Sequence, residues 1–185
     1  RHADLHGPNG TYPFATYWKP ATMLRTLEAL IGQDTVWEAL RVYTDRWMYR
    51  HPDPLDFFNT VESVAGRDLD WFWHPFWYET AYLDHAIEDV QMGQGAAGAP
   101  VARVTVADLG SAPFPATIEL ELSGGQTLVE TVPVEVWLEG ATRHILTVSL
   151  PAGATVERAE IDPDELTPRQ AQAAIYALKA LIRSP

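Results

Sequence analysis

Apolar residues in the first part of the chain, to about residue 80, recur every three or four positions, and that period predicts helices. Leu24, Leu27, Leu30 and Ile31 fall on one face of a helix that Gly32 stops. Asp34 is placed to cap a second helix, with Val36, Leu40, Tyr43 and Trp47 as its apolar stripe and Trp37 beside it. His51-Pro52-Asp53-Pro54 breaks that helix, because proline has no backbone donor and restricts the residue before it. A third helix carries Phe57, Phe58, Val61 and Val64 and ends at Gly66. A fourth, short and aromatic, runs from about Asp68 to Tyr78, and Pro75 must kink it or start a new turn.

From about Leu83 the period falls to two. Ile118, Leu120 and Leu122 alternate with Glu119 and Glu121. Val132, Val134 and Val136 alternate with Pro133 and Glu135, and Ile145 is followed by Thr147 and Ser149 in the same sense. Such alternation predicts strands with one buried and one wet face. Turn chemistry separates them at Gly93 to Pro100, Asp108 to Pro113, Ser123-Gly124-Gly125, Glu139-Gly140 and Pro151 to Gly153. Pro115 and Pro133 belong at edges or bulges, where no ladder donor is needed. After Thr167-Pro168 a last helix is expected, with Ala171, Ala174, Ile175, Leu178, Leu181 and Ile182 on one face. The expected class is α+β. A helical bundle segment over 1–82 precedes a small antiparallel β-sandwich over 83–163, and an amphipathic helix fills 164–185.

Charge narrows the range of partners. The 185 residues hold 13 Lys+Arg against 25 Asp+Glu, a formal charge of −12. That balance argues against nucleic acid, which needs a basic face to displace phosphate counterions, and against an anionic membrane surface. No apolar run approaches the roughly 18 residues of a membrane span. The chain has no cysteine, so disulfides, thiolate zinc sites and thiol nucleophiles are ruled out.

Candidate chemistry is sparse. His2 and His6 have the one-turn spacing of helical zinc ligands, but His2-Ala3-Asp4-Leu5-His6 lacks the glutamate of HExxH. Gly7-Pro8-Asn9-Gly10 follows at once, so they read as solvated histidines near the terminus. His51 lies in a loop, His74 among aromatics, and His85 and His144 on expected strands, none beside a second ligand. No serine has a Gly-x-Ser-x-Gly context. The glycine-rich stretch Gly93 to Gly98 lacks the lysine and following helix of a phosphate loop. The run Trp71-Phe72-Trp73-His74-Pro75-Phe76-Trp77-Tyr78 reads as core filler, each buried ring stabilising by about 1.5–3 kcal/mol.

One segment is more specific. Tyr17-Trp18-Lys19-Pro20-Ala21-Thr22-Met23-Leu24 resembles the Tyr-x-Lys-Gly-Ala-x-x-Leu segment of the gluzincin aminopeptidases, the aminopeptidase N family of zinc peptidases. Further resemblances follow in order over about residues 12–90. They are Ile31-Gly32, Arg46-Trp47-Met48-Tyr49-Arg50, Pro54-Leu55-Asp56-Phe57-Phe58, Gly66-Arg67-Asp68-Leu69-Asp70-Trp71-Phe72-Trp73 and Tyr82-Leu83-Asp84. Pro20 replaces the usual glycine, a departure that the first turn of a helix tolerates.

The resemblance implies that Tyr17 donates a hydrogen bond to the oxyanion of a tetrahedral intermediate beside zinc. Tyr12, five residues earlier, is the fallback. HExxH and the Gly-x-Met-Glu-Asn type loop that holds the substrate amine are absent here, and in the family they lie N-terminal to the tyrosine. The expected identity is therefore the C-terminal part of a longer zinc peptidase, inactive alone. Zn and the peptide substrate would then be held in the intact parent, and this segment would partner the rest of that chain. Bacterial relatives of this type are often exported, which makes a secreted or periplasmic location an expectation. Two other readings compete: a non-catalytic scaffold of the same architecture, and a self-contained carbohydrate- or peptide-binding domain built on the sandwich and its tryptophans.

Overall fold

The computed structural model describes residues 11–162. His2, His6 and the expected helix over 164–185 lie outside them. The described residues divide into two compact units, with the boundary between Glu79 and Thr80.

The first unit is helical. A turn of helix, α1 (Thr11–Pro13), runs into a π-helical turn (Phe14–Trp18) and then into α2 (Lys19–Ile31). Gly32 ends α2 in the left-handed region at φ 87°, and α3 (Gln33–Trp47) begins directly after it. The helix therefore starts earlier than an Asp34 cap requires. Asp34 lies inside the first turn with no capping bond, where its charge still suits the helix N-terminus. α4 (Pro54–Ala65) has a reciprocal cap. Asp53 accepts from the Leu55 and Asp56 amides at 2.8 and 3.2 Å, and Asp56 accepts from the Asp53 amide at 2.9 Å. Gly66 closes α4 at φ 66°. The expected aromatic helix is split in two, α5 (Asp70–Trp73) and a second π-turn (His74–Tyr78), because Pro75 cannot continue the α-helical ladder.

Among the described residues, Leu27, Val36, Ala39, Phe58, Val61, Leu69, Phe72, Trp73 and Phe76 are the buried apolar residues of this unit. Phe58 stacks on Trp73 at 4.4 Å and Phe72 on Phe76 at 4.9 Å. One carboxylate oxygen of Glu62 accepts from both the Leu69 amide and the Trp73 indole, at 3.0 and 3.1 Å. That bond satisfies a buried indole donor and fixes α5 to α4.

The second unit holds two three-stranded antiparallel sheets. One has the order β1 (His85–Gln94), β2 (Pro100–Asp108), β5 (Arg143–Ser149). The other has the order β4 (Thr127–Val132), β3 (Ala116–Leu122), β6 (Val156–Ile161). Ala102, Val104 and Val106 of one sheet and Ala116, Ile118, Leu120 and Leu122 of the other belong to a single buried cluster with Val132, Trp137 and Val148. The period-two reading places Ile118, Leu120, Leu122 and Val132 among them correctly. It fails after Val132. Val134 and Val136 are not strand residues but part of α6 (Val134–Leu138). Pro133 cannot donate to a ladder and takes φ −69°, so it ends β4 and caps the helix, which buries Val134 and Trp137 three residues apart.

The segment before β1 is drawn tightly against the loop after β2. Leu109 donates to the Asp84 carbonyl at 2.7 Å, and Ser111 and Ala112 donate to the Tyr82 carbonyl at 2.9 and 3.1 Å. Gly110 permits this approach. A Cβ there would lie 2.6 Å from the Tyr82 carbonyl oxygen and 2.7 Å from the Asp84 amide nitrogen. Both are backbone atoms and cannot swing aside. Gly110→Ala is therefore expected to destabilise the β unit by about 1–3 kcal/mol, the usual range for overpacking. Thermal melts followed by circular dichroism test this, and an unchanged midpoint would mean that the loop has room to relax.

Candidate functional site

Tyr17 stands on the π-turn Phe14–Trp18. The turn is closed by the Lys19 amide, which donates to the Phe14 carbonyl five residues back. Pro20, next in the chain, has no amide to continue an α-helical ladder at this point, which accounts for the widening. No residue of the turn is buried. Tyr17 is 61% exposed, and its ring meets the ring of Tyr12 edge-on at 6.2 Å. The first-choice tyrosine and its fallback thus lie side by side. Phe14 and Trp18 form a second edge-on pair at 4.9 Å on the same turn. The chemical resource here is an accessible phenol O–H on an irregular backbone, able to donate to an oxygen that becomes negative.

Lys19 points its ammonium elsewhere. Its Nζ donates to the carbonyls of Trp77 and Glu79, each at 2.9 Å. Burial holds its pKa below the ordinary lysine value. In the sequence Lys19 stands out only as part of the motif, because its acceptors lie 58 and 60 residues away.

Among the described residues one group of carboxylates has the compactness of a metal site: Glu62, Asp68 and Asp70, with ligand atoms within 4.8 Å of one another. Two of the three already serve the backbone. Glu62 holds Leu69 and Trp73, and Asp68 accepts from the Asp70 amide at 2.8 Å. An all-carboxylate set with no histidine also does not fit zinc, which favours nitrogen and sulfur donors. His74 is exposed and lies 3.3 Å from Glu79, while His144 sits on β5 opposite Val106.

His85, by sequence an ordinary strand residue, occupies the most unusual polar position among the described residues. Its side chain is only 1% exposed and stacks on Trp137 at 5.5 Å. Neither ring nitrogen has a hydrogen-bond partner among the described residues, and Nε2 lies 3.9 Å from Asp108. Burial lowers its pKa, against the opposing pull of Asp108, Asp162 and Asp84. Asp162, at φ 49°, accepts from the Thr117 amide at 3.0 Å, and burial raises its pKa.

Comparison with known proteins bears on the resemblance. Over 82 residues, 44% of this chain, it is 28% identical to aminopeptidase N of Streptomyces lividans, covering 10% of that protein. Over 151 residues, 74% of the chain, it is 26% identical to putative aminopeptidase-2 of Caenorhabditis elegans, covering 8% of that protein. The chain therefore spans no more than a tenth of the length of these relatives. The crystal structure of Legionella pneumophila aminopeptidase A in complex with aspartic acid shares the fold. Its TM-score is 0.56 at 13% identity, over 82% of this chain and 17% of that one. Residues 158–181 match a family described as the DNA mismatch repair protein MutS C-terminal region, a stretch mostly outside the described residues. The aminopeptidase similarities support the relationship drawn from the Tyr-x-Lys segment and those that follow it. Among the described residues no helix is long and apolar enough to cross a membrane.

The buried imidazole gives the β unit a definite acid response. A histidine whose folded pKa is depressed contributes stability above its unfolded value of about 6.5, and that stability is lost as pH falls through the folded value. Asp162 acts in the opposite sense, because a raised carboxylate pKa favours the fold as that carboxylate protonates. The contribution of His85 to the stability of the β unit is thus expected to fall as the pH drops below about 6.5. His85→Phe keeps a ring against Trp137 and should flatten that slope in melts between neutral and mildly acidic pH. An identical slope in the variant would assign the response to other groups.

Proposed function

We propose that this chain is part of a zinc-dependent peptidase that hydrolyses peptide bonds in the manner of aminopeptidases, and that Tyr17 is its oxyanion donor. The exposed phenol of Tyr17, set on a π-turn within the Tyr-x-Lys segment, carries the reading. The distant aminopeptidase relatives and the shared fold support it. On this reading the helices are the end of the catalytic portion, and the two sheets with their common core are a small β-sandwich following it. The zinc ligands lie outside these residues. When bound, the metal supplies carbonyl polarisation and a water of lowered pKa. This chain supplies a hydrogen bond that strengthens as the carbonyl oxygen gains charge, so it stabilises the transition state more than the bound peptide.

Alone, the chain is expected to cleave no peptide. In the complete protein, Tyr17→Phe should lower kcat by about 10²–10³ with little change in KM, as loss of one oxyanion donor does. Rates on aminoacyl p-nitroanilides measure this, and a kcat at the wild-type level would overturn the assignment. A complete protein that neither binds zinc nor cleaves any of these substrates would instead be a scaffold of the same architecture.

A further inference from the structure

We infer that Lys19 is the positioning residue for Tyr17. It would fasten the π-turn that carries the tyrosine to the end of the second π-turn, His74–Tyr78. The inference rests on the reading of Tyr17 given above.

Three hydrogen bonds from one residue do this. The Lys19 amide closes the first π-turn by donating to the Phe14 carbonyl. Its ammonium donates to the carbonyls of Trp77 and Glu79, both at 2.9 Å. Those acceptors lie where the second π-turn ends and the chain becomes extended at Glu79. Carbonyls at a helix end have no partner within the helix, and a cation there also meets the negative end of the helix dipole. Charge-assisted bonds of this kind are roughly twice as strong as neutral ones.

Among the described residues no member of this turn is buried, the phenol of Tyr17 is exposed, and its ring meets that of Tyr12. The direction of the phenol is therefore set by the backbone of the turn, and Lys19 determines where that backbone sits. Tyr17 and Lys19 act two residues apart in sequence but in different directions, one toward solvent and one toward the aromatic turn.

A double-mutant cycle in the complete protein tests this with purified variants. Lys19→Met retains the stem and removes the donors. It should lower kcat by about 10–10²-fold, the scale expected of a displaced catalytic group, with KM nearly unchanged. In a Tyr17→Phe background the same substitution should cost little more, because nothing remains to be positioned. Lys19→Arg, which keeps a cation and donors, should recover most of the rate. If Lys19→Met destabilises the protein, Lys19→Gln is carried through the same cycle, since it keeps an uncharged donor. Losses that multiply across the cycle, or a wild-type kcat in Lys19→Met, would overturn the inference and leave Lys19 a plain structural tie. A silent Tyr17→Phe would overturn both readings at once. A damaging Tyr17→Phe beside a silent Lys19→Met would overturn only this one.

Discussion

The helical unit depends on how it satisfies the backbone carbonyls where its helices are interrupted. Two prolines, Pro20 and Pro75, remove amides at points where the chain would otherwise continue as α-helix, and the coil widens beside each. Widening leaves carbonyls pointing away from a regular ladder. At the end of the aromatic turn two of them are met by a single ammonium, that of Lys19. A carboxylate does the complementary work one helix away, where Glu62 receives both an amide and an indole. Between them these two charged side chains anchor the segment that holds Trp73, Phe76 and Trp77, so the aromatic core rests on polar bonds as well as on ring packing.

Local period and stop signals made much of this legible. Leu27, Val36 and Val61 are buried as their spacing requires, and Gly32 and Gly66 end helices with positive φ. In the strands, Ile118, Leu120 and Leu122 face the core while Glu121 faces water. The failures have physical causes. Val132, Val134 and Val136 satisfy a period of two as well as part of a helical stripe, and Pro133 decides between them by ending the ladder. Asp34 is a good cap by type, but Gly32 had already turned the chain into the helix. Gly110 looks like an ordinary turn glycine, and only the approach of Tyr82 and Asp84 gives it a reason.

The candidate site divides along the same line. Tyr17 is picked out as a candidate by its immediate neighbours, because the Tyr-x-Lys pattern is local. The tie that Lys19 makes is not legible in this way, because its acceptors are brought to it by the fold. His85 is hidden for another reason. A histidine at the head of a strand gives no sign that Trp137 will cover it and that carboxylates from separate segments will surround it.

The stack of His85 on Trp137 also has an optical consequence. Trp18, Trp37, Trp47, Trp71, Trp73 and Trp77 all precede Glu79, so Trp137 is the sole indole among residues 80–162. An imidazolium quenches indole emission far more strongly than a neutral imidazole does, and here the two rings are 5.5 Å apart. With the helical tryptophans replaced, the β unit would carry its own internal proton gauge, in which the light emitted by one residue reports the charge on its neighbour.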